Sequence, residues 1–206
     1  MISRKLLTVF IIAAGIAVVL MAQTVLSDRW NPVQVKAQRL KGDLAAEVIV
    51  LEFTDFQCPA CAQAALMVEK IVRQNPGRLA VEHKYFPLSS HKNSRPAALF
   101  AECASRQGYF WPVHDFIFKT QSQWQGLADP WPFFLLKAQS LGLDARQIEE
   151  CSGDPESLRA IEADIHEGKR RGVRATPTFI VHDELAVGFD DLRQKIKLEG
   201  NSKAGR

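Results

Sequence analysis

The 206-residue chain has no sustained run of one charge. Its 26 basic residues nearly balance 23 acidic ones, for a formal charge of +3. The only tight basic cluster, Lys169-Arg170-Arg171, is what a solvated helix end carries. Without a basic stripe, nucleic acid is excluded as a partner. Internal repeats and low-complexity tracts are also missing, which excludes a solenoid and a long unstructured tail. Cysteine is scarce: there are four, and only Cys58 and Cys61 lie close in sequence. A structural zinc site needs two further ligands, usually a second close pair. Cys103 and Cys151 are far apart, so no metal is expected.

Charge is absent from residues 6–26, which follow the basic start Arg4-Lys5. An uncharged stretch of about 20 residues is long enough to span a bilayer. Residues 1–27 therefore read as a signal peptide or an N-terminal membrane anchor. Length and flanks favour the anchor over a cleaved signal, because no small-x-small cleavage site is obvious. Arg4 and Lys5 would stay cytoplasmic and place the rest at the extracytoplasmic face of the inner membrane, or in the periplasm. Outside the cytosol disulfides form and persist, so four cysteines can be two pairs.

The whole chain is 47% hydrophobic, enough for one domain with its own core. Residues 28–44 are polar and mixed and read as a tether. Residues 47–53 form a near-continuous apolar run, the pattern of a strand covered on both faces. Pro59 stands where a first helical turn begins, with no amide proton to leave unpaired. Ala65, Val68, Ile71 and Val72 then give a helical stripe, ended by Asn75-Pro-Gly77. Residues 79–86 read as a second strand. Short helices are expected at 94–108, 111–118, 131–141 and 145–151, and Asp154-Pro155 signals the start of another. Residues 178–181 read as a third strand, 182–184 as a hairpin turn into 185–187, and 190–198 as a closing helix. The order β-α-β, helices, β-β-α divides the chain into a core at 45–90, a helical insertion with its connecting helix at 91–172, the rest of the core at 173–199 and a polar tail at 200–206. Periodicity alone gives α/β with a helical subdomain.

The Cys58/Cys61 pair thus lies between a strand and a helix of a β-α-β unit. There the first sulfur faces the helix N-terminus, whose unpaired amides and macrodipole stabilise a thiolate. A sulfur that leaves easily is what disulfide exchange requires. A purely structural disulfide is the plain alternative.

The stretches EFTDFQCPAC (52–61) and KYFPL (84–88), His91, Ala97-Ala98, Cys103-Ala104, GYFW (108–111), His114-Asp115, LGLD (141–144) and ATPTF (175–179) together resemble the DsbA-like thiol-disulfide oxidoreductases. The likeness covers residues 42–198. It implies a thioredoxin-like fold with an inserted helical subdomain. It makes Cys58 the nucleophilic, exposed cysteine and Cys61 its buried partner. It makes Pro177 a cis-proline facing the disulfide, which holds the Thr176 backbone open to an extended substrate. Pro59 and Ala60 would also meet substrate. The resemblance further implies that Glu52, at the end of its strand, lies beneath the disulfide and moves protons to and from the buried cysteine. Lys84, on the neighbouring strand, could pair with it. His91 reads as a capping or packing residue, and Trp111, Phe116, Trp131, Phe133 and Phe134 as core of the insertion. Ala60 stands where the family's best-known oxidase has histidine, so a milder oxidant is expected.

The expected function is oxidation of exported proteins, with the Cys58–Cys61 disulfide itself as redox centre and no separate cofactor. Expected partners are reduced or unfolded exported chains and a membrane quinone-linked reoxidase, or a reducing membrane partner. A disulfide reductase or isomerase, or a membrane-tethered thiol or metal chaperone, are the alternatives. Cys103 and Cys151 are expected to form a second, structural disulfide.

Overall fold

A computed structural model describes residues 13–18 and 38–203, without the side chains of 197–203. Residues 13–18 are helical. The rest of the 1–27 segment read as signal or anchor lies outside the described residues, as does most of the tether. Among the described residues no helix is long and apolar enough to cross a membrane.

The sheet contains β1 (Leu40–Lys41), β2 (Val48–Thr54), β3 (Leu79–Tyr85), β4 (Thr178–Val181) and β5 (Glu184–Val187), in the order β1-β3-β2-β4-β5. β2 and β3 are parallel and joined by α1 (Pro59–Gln74). The other pairings are antiparallel. Between β3 and β4 the chain inserts α2 (Ser94–Arg106), α3 (Phe110–Lys119), α4 (Gln121–Trp124), α5 (Trp131–Ser140), α6 (Ala145–Ser152) and α7 (Pro155–Arg170), and α8 (Phe189–Lys203) follows β5.

The expected elements form where local chemistry asks for them. Asp154 caps α7 by accepting from the Glu156 amide at 3.0 Å, with Pro155 in the first turn. Asp144 caps α6 in the same way, accepting from the Arg146 amide at 2.9 Å. The β4–β5 turn puts His182 and Asp183 in the left-handed region, at φ 47° and 65°. That is the conformation a two-residue hairpin requires.

One apolar cluster joins Val50, Val81 and Phe179 of the sheet to Ala64, Val68 and Val72 of α1 and to Leu192 of α8. A second fills the insertion, where Phe100 stacks on Phe134 with ring centroids 5.0 Å apart. Phe134 is wholly buried, whereas Trp111, Phe116, Trp131 and Phe133 pack against that core from its partly exposed rim. Helix α7 packs against the sheet so closely that a Cβ on Gly168 would sit 2.7 Å from Phe86.

The segment read as a tether up to residue 44 needs correction. Leu40 and Lys41 pair with Glu82 and Val81 as an edge strand. Arg39 is buried, bonded to Asp164 of α7 at 2.6 Å and lying 4.7 Å above the Tyr85 ring. A two-residue strand carries no periodicity, and its anchors are polar, so composition alone reads as linker.

Candidate active site

Cys58 is the N-cap residue of α1, with extended backbone (φ −78°, ψ 121°) and Pro59 next in the first turn. Its amide donates to the Asp55 carbonyl at 3.0 Å, which closes the loop from β2. Cys58 and Cys61 are unbonded thiols here. Cys61 is fully buried and Cys58 is 8% exposed. The thiol expected to be exposed is therefore largely covered. Its Sγ lies 3.4 Å from the Thr176 carbonyl, to which the thiol form donates. Pro59 and Ala60 beside it are exposed. The Thr176–Pro177 bond is cis.

The two sulfurs have opposite electrostatics. A hydrogen bond from the Cys61 thiol, with help from the amides of Cys61 and Ala60 and from Thr176, outweighs burial and lowers Cys58 to about 5. These amides are the unpaired donors of a helix start. Burial pushes the Cys61 thiol up, and its bond to Cys58 adds to that. Of the two, only Cys58 holds a thiolate at neutral pH.

Glu52 is 2% exposed. Burial raises its carboxyl to about 7, against a partial pull from Lys41. Side chains alternate along a strand, so Glu52 shares a face with Thr54, whose side chain bears on Cys61. The suggested pairing with Lys84 does not occur. Glu52 is in register with His83, and Lys84 is opposite Phe53, so Lys84 points to the other face. There it bonds Glu82 at 2.9 Å and Glu167 of α7 at 3.1 Å. A one-residue offset in register decides which face a side chain takes, and sequence does not display register.

Several residues that carried no role in the sequence reading hold the site together. Asp55 accepts from the amides of Gln57 (2.7 Å) and Leu88 (2.8 Å) and from the Ser94 hydroxyl, and lies 2.8 Å from His91 Nδ1. His91 therefore tethers the loop after β3 to the loop that carries Cys58. Gln121 of α4 donates to the Phe56 carbonyl at 2.8 Å and to the Cys58 carbonyl at 3.1 Å. Asn93 donates to the carbonyls of Gln125 (3.1 Å) and Leu127 (2.9 Å), and its amide donates to Gln57 Oε1 at 2.8 Å. Asp55 stood three residues before Cys58, close enough to suggest a loop-closing carboxylate. Gln121 had no local signal, because 63 residues separate it from the carbonyl it holds.

Away from this site, Cys103 of α2 and Cys151 of α6 are joined, with Cα atoms 5.6 Å apart. Among the described residues no cluster of three or more His, Cys, Asp or Glu is arranged to hold a metal ion.

A dithiol at a helix start, opposite a cis-proline and on the sheet face of a buried carboxyl, defines a thioredoxin-type redox site. Residues 34–197 match the family model described as Thioredoxin. The chain belongs to the thioredoxin family and has the DsbA-like form of its fold. It is similar to DsbA2 of Pseudomonas aeruginosa at 26% identity and a TM-score of 0.60, over 71% of this chain and 80% of that one. A thioredoxin-like oxidoreductase from Silicibacter pomeroyi shares the fold at 24% identity and a TM-score of 0.66, over 81% and 92% of the two chains. Oxidised BdbD of Bacillus subtilis does so at 23% and 0.66, over 80% and 94%. The curated relatives include the Na(+)/H(+) antiporter NhaA 3 of Salinispora tropica, 33% identical over 158 residues, which are 75% of this chain and 23% of that protein. The NhaA antiporter of Herminiimonas arsenicoxydans is 30% identical over 165 residues, or 79% and 25%. The chain thus spans about a quarter of the length of these relatives.

Proposed function

We propose that the protein is an exported thiol oxidase that donates a Cys58–Cys61 disulfide to reduced proteins. The observation that carries this reading is the asymmetry of the pair, a thiol held at about 5 beside one pushed up by burial. A substrate thiolate attacks the Cys58 sulfur of the oxidised pair, and Cys61 leaves and is protonated. A second substrate thiolate attacks the substrate sulfur of the mixed disulfide, and Cys58 leaves as a helix-stabilised thiolate. Two electrons pass from two substrate thiols to the pair, so the redox centre is the disulfide and no other cofactor is required.

Direction follows from which form the protein stabilises. Each tenfold stabilisation of the Cys58 thiolate favours the reduced protein by about 1.4 kcal/mol, or about 30 mV for a two-electron couple. A neutral Ala60 gives that thiolate no cation, so a mild oxidant is proposed. Glu52 supplies and takes the Cys61 proton. The backbone of Thr176 beside Pro177 pairs with an extended substrate, and exposed Pro59 and Ala60 meet it.

The Cys103–Cys151 bridge supports an extracytoplasmic location, because disulfides persist in oxidising compartments. The proposed arrangement has residues 6–26 in the membrane and the redox domain on the periplasmic side. Its clients are reduced exported chains, and a membrane quinone-linked enzyme reoxidises it.

The test is to incubate the oxidised protein with a reduced, unfolded, two-disulfide substrate and follow disulfide formation. Cys58→Ser should abolish it. A reduction potential near that of thioredoxin, about −270 mV, would overturn the oxidase and favour a reductase.

A further inference from the structure

One cluster behind the dithiol has no part in the exchange steps above. His83 stands in register with Glu52 across β2 and β3, and partners in register on parallel strands lie about 4.8 Å apart and point to the same face. His83 is wholly buried, and among the described residues neither of its ring nitrogens has a hydrogen-bond partner. The His114 ring on α3 lies 5.5 Å from it, centroid to centroid, at 88°. His114 is 2% exposed, and among the described residues its Nε2 also has no hydrogen-bond partner. Its Nδ1 lies 2.8 Å from Asp115 Oδ1, and that aspartate side chain is 65% exposed.

Packing does not explain two imidazoles here. The walls around them are Phe56, Tyr85, Phe110, Trp111 and Phe118. Phenylalanine would fill either place, whereas a buried donor or acceptor left unpaired costs stability. An ionised Asp115 takes the His114 Nδ1–H, which leaves Nε2 as a buried lone pair. His83 brings one buried N–H and one buried lone pair. The centroid separation suits proton exchange between the rings after a small rotation or through one water.

We propose that His83 and His114 relay protons between buried Glu52 and the surface carboxylate Asp115. The relay rests on the thiol-exchange reading of Cys58 and Cys61 and accounts for a gap in it. When Cys61 leaves as a buried thiolate, the Glu52 carboxyl gives it a proton, and a new carboxylate is left in a dry site. Inward transfer starts from the other His114 tautomer, left by the preceding outward stroke, with the proton on Nε2 and the Nδ1 lone pair facing Asp115. Asp115, at the surface, takes a proton from solvent and gives it to Nδ1 while the Nε2 proton passes to His83, which leaves His114 in the Nδ1–H form paired to the Asp115 carboxylate. His83 takes that proton at one nitrogen and gives its own N–H proton to Glu52. Each imidazole ends neutral, and one solvent proton has been moved to Cys61. Reoxidation of the pair runs the same path outward.

Burial keeps both rings neutral at rest. Burial lowers His83, and His114, Arg39 and Lys84 add to that. Burial also lowers His114, with Asp115 and Glu69 pulling the other way and Lys41 adding to the fall. Lys41 lies 4.3 Å over the Trp111 ring and pairs with Glu69 beside the surface end of the path. Tyr85, against His83, is raised well above its usual range by burial and carries no charge.

The test compares full-length oxidised wild type with His83→Phe, His114→Phe, their double variant and Asp115→Asn, each reacted with a reduced dithiol peptide between pH 5.5 and 8.5. Losing a positioned proton-transfer group slows its step by 10²–10⁴, and with slow leakage of water we expect about a tenfold loss for each Phe variant. The double variant should be no slower than either single one, because both break one path. Asp115→Asn should lose about threefold, restored by a small buffer acid, which no packing role predicts. The solvent hydrogen isotope effect should rise in all of them. If a Phe variant does not fold, Asp115→Asn with and without buffer acid decides. Unchanged rates and isotope effects in the variants overturn the relay alone. A wild type that exchanges no disulfide overturns the function reading and the relay with it.

Discussion

Cys103 and Cys151 face each other across α2 and α6 as a closed bridge, whereas Cys58 and Cys61 stand as two thiols at the start of α1. The bridge lies among Phe100, Ala104 and Ile148 in the apolar core of the insertion. Helix-start amides and the Cys61 thiol hold the Cys58 sulfur as an anion, while burial keeps Cys61 neutral. The same side chain therefore serves as a staple in one region and as an exchangeable group in the other. What differs is whether the surroundings stabilise one sulfur as a leaving group.

The widest separation should appear in reactivity. In the reduced protein at pH 7, Cys58 is almost wholly thiolate and Cys61 almost wholly thiol. Alkylation by iodoacetamide should favour Cys58 by on the order of a hundredfold, even allowing for the lower nucleophilicity of a low-pKa thiolate. Its rate should titrate with a midpoint near 5. Equal labelling of the two, or faster labelling of Cys61, would erase the asymmetry.

Removing each pair should then separate stability from exchange. The bridge closes a 48-residue separation, and the chain-entropy relation assigns such a loop about 4 kcal/mol. Cys103→Ala with Cys151→Ala should lower unfolding stability by that order in denaturant titrations and leave Cys58 alkylation unchanged. Cys58→Ser should do the reverse.

Glu52 extends the contrast, since it puts a costly carboxyl beside the exchanging pair. Its folded value of about 7 lies above the ordinary 4.5. Between those values the unfolded chain has lost the proton and the folded one keeps it, so stability falls as pH rises from 4.5 to 7 and is level above. The full loss is about 3 kcal/mol. Glu52→Gln should therefore be more stable than wild type by up to that amount at pH 8, nearly equal to it at pH 4.5, and slower in exchange. Matching stability curves at both pH values would mean that Glu52 is not buried as a neutral acid.

Much of this was legible in the residues. The strand at 178–181 matched to the residue, because a β-branched Thr178 leads three apolar positions, Phe179, Ile180 and Val181, that end at a turn. Asp154-Pro155 marked the start of α7, because a cap is a local event. The Cys58/Cys61 pair stood out because exchange chemistry needs two sulfurs a turn apart. What stayed hidden was non-local. Register turned Lys84 away from Glu52 and brought His83 beside it. Arg39 became an anchor through α7, which lies more than a hundred residues on. Cys58, expected to be exposed, is largely covered and has the Thr176 carbonyl, 118 residues on, 3.4 Å from its sulfur.

The smallest effect concerns Gln121, the link between the two regions. It belongs to the insertion, yet its amide nitrogen donates to the carbonyls of Phe56 and Cys58. The Cys58 carbonyl also accepts from the amides of Cys61 (3.1 Å) and Ala62 (3.2 Å). The Phe56 carbonyl, within the loop before the helix, depends more on Gln121. Gln121→Ala would leave that buried acceptor unpaired, at about 1–2 kcal/mol. It would also release the loop that aims the helix amides at the Cys58 sulfur. The expected result is a modest loss of stability together with a rise in the midpoint of Cys58 alkylation. Gln121→Glu keeps the shape but replaces the donor with a charge that opposes a nearby thiolate, so its midpoint should rise further. If both variants lose stability while the midpoint stays put, the insertion braces the loop without tuning its sulfur.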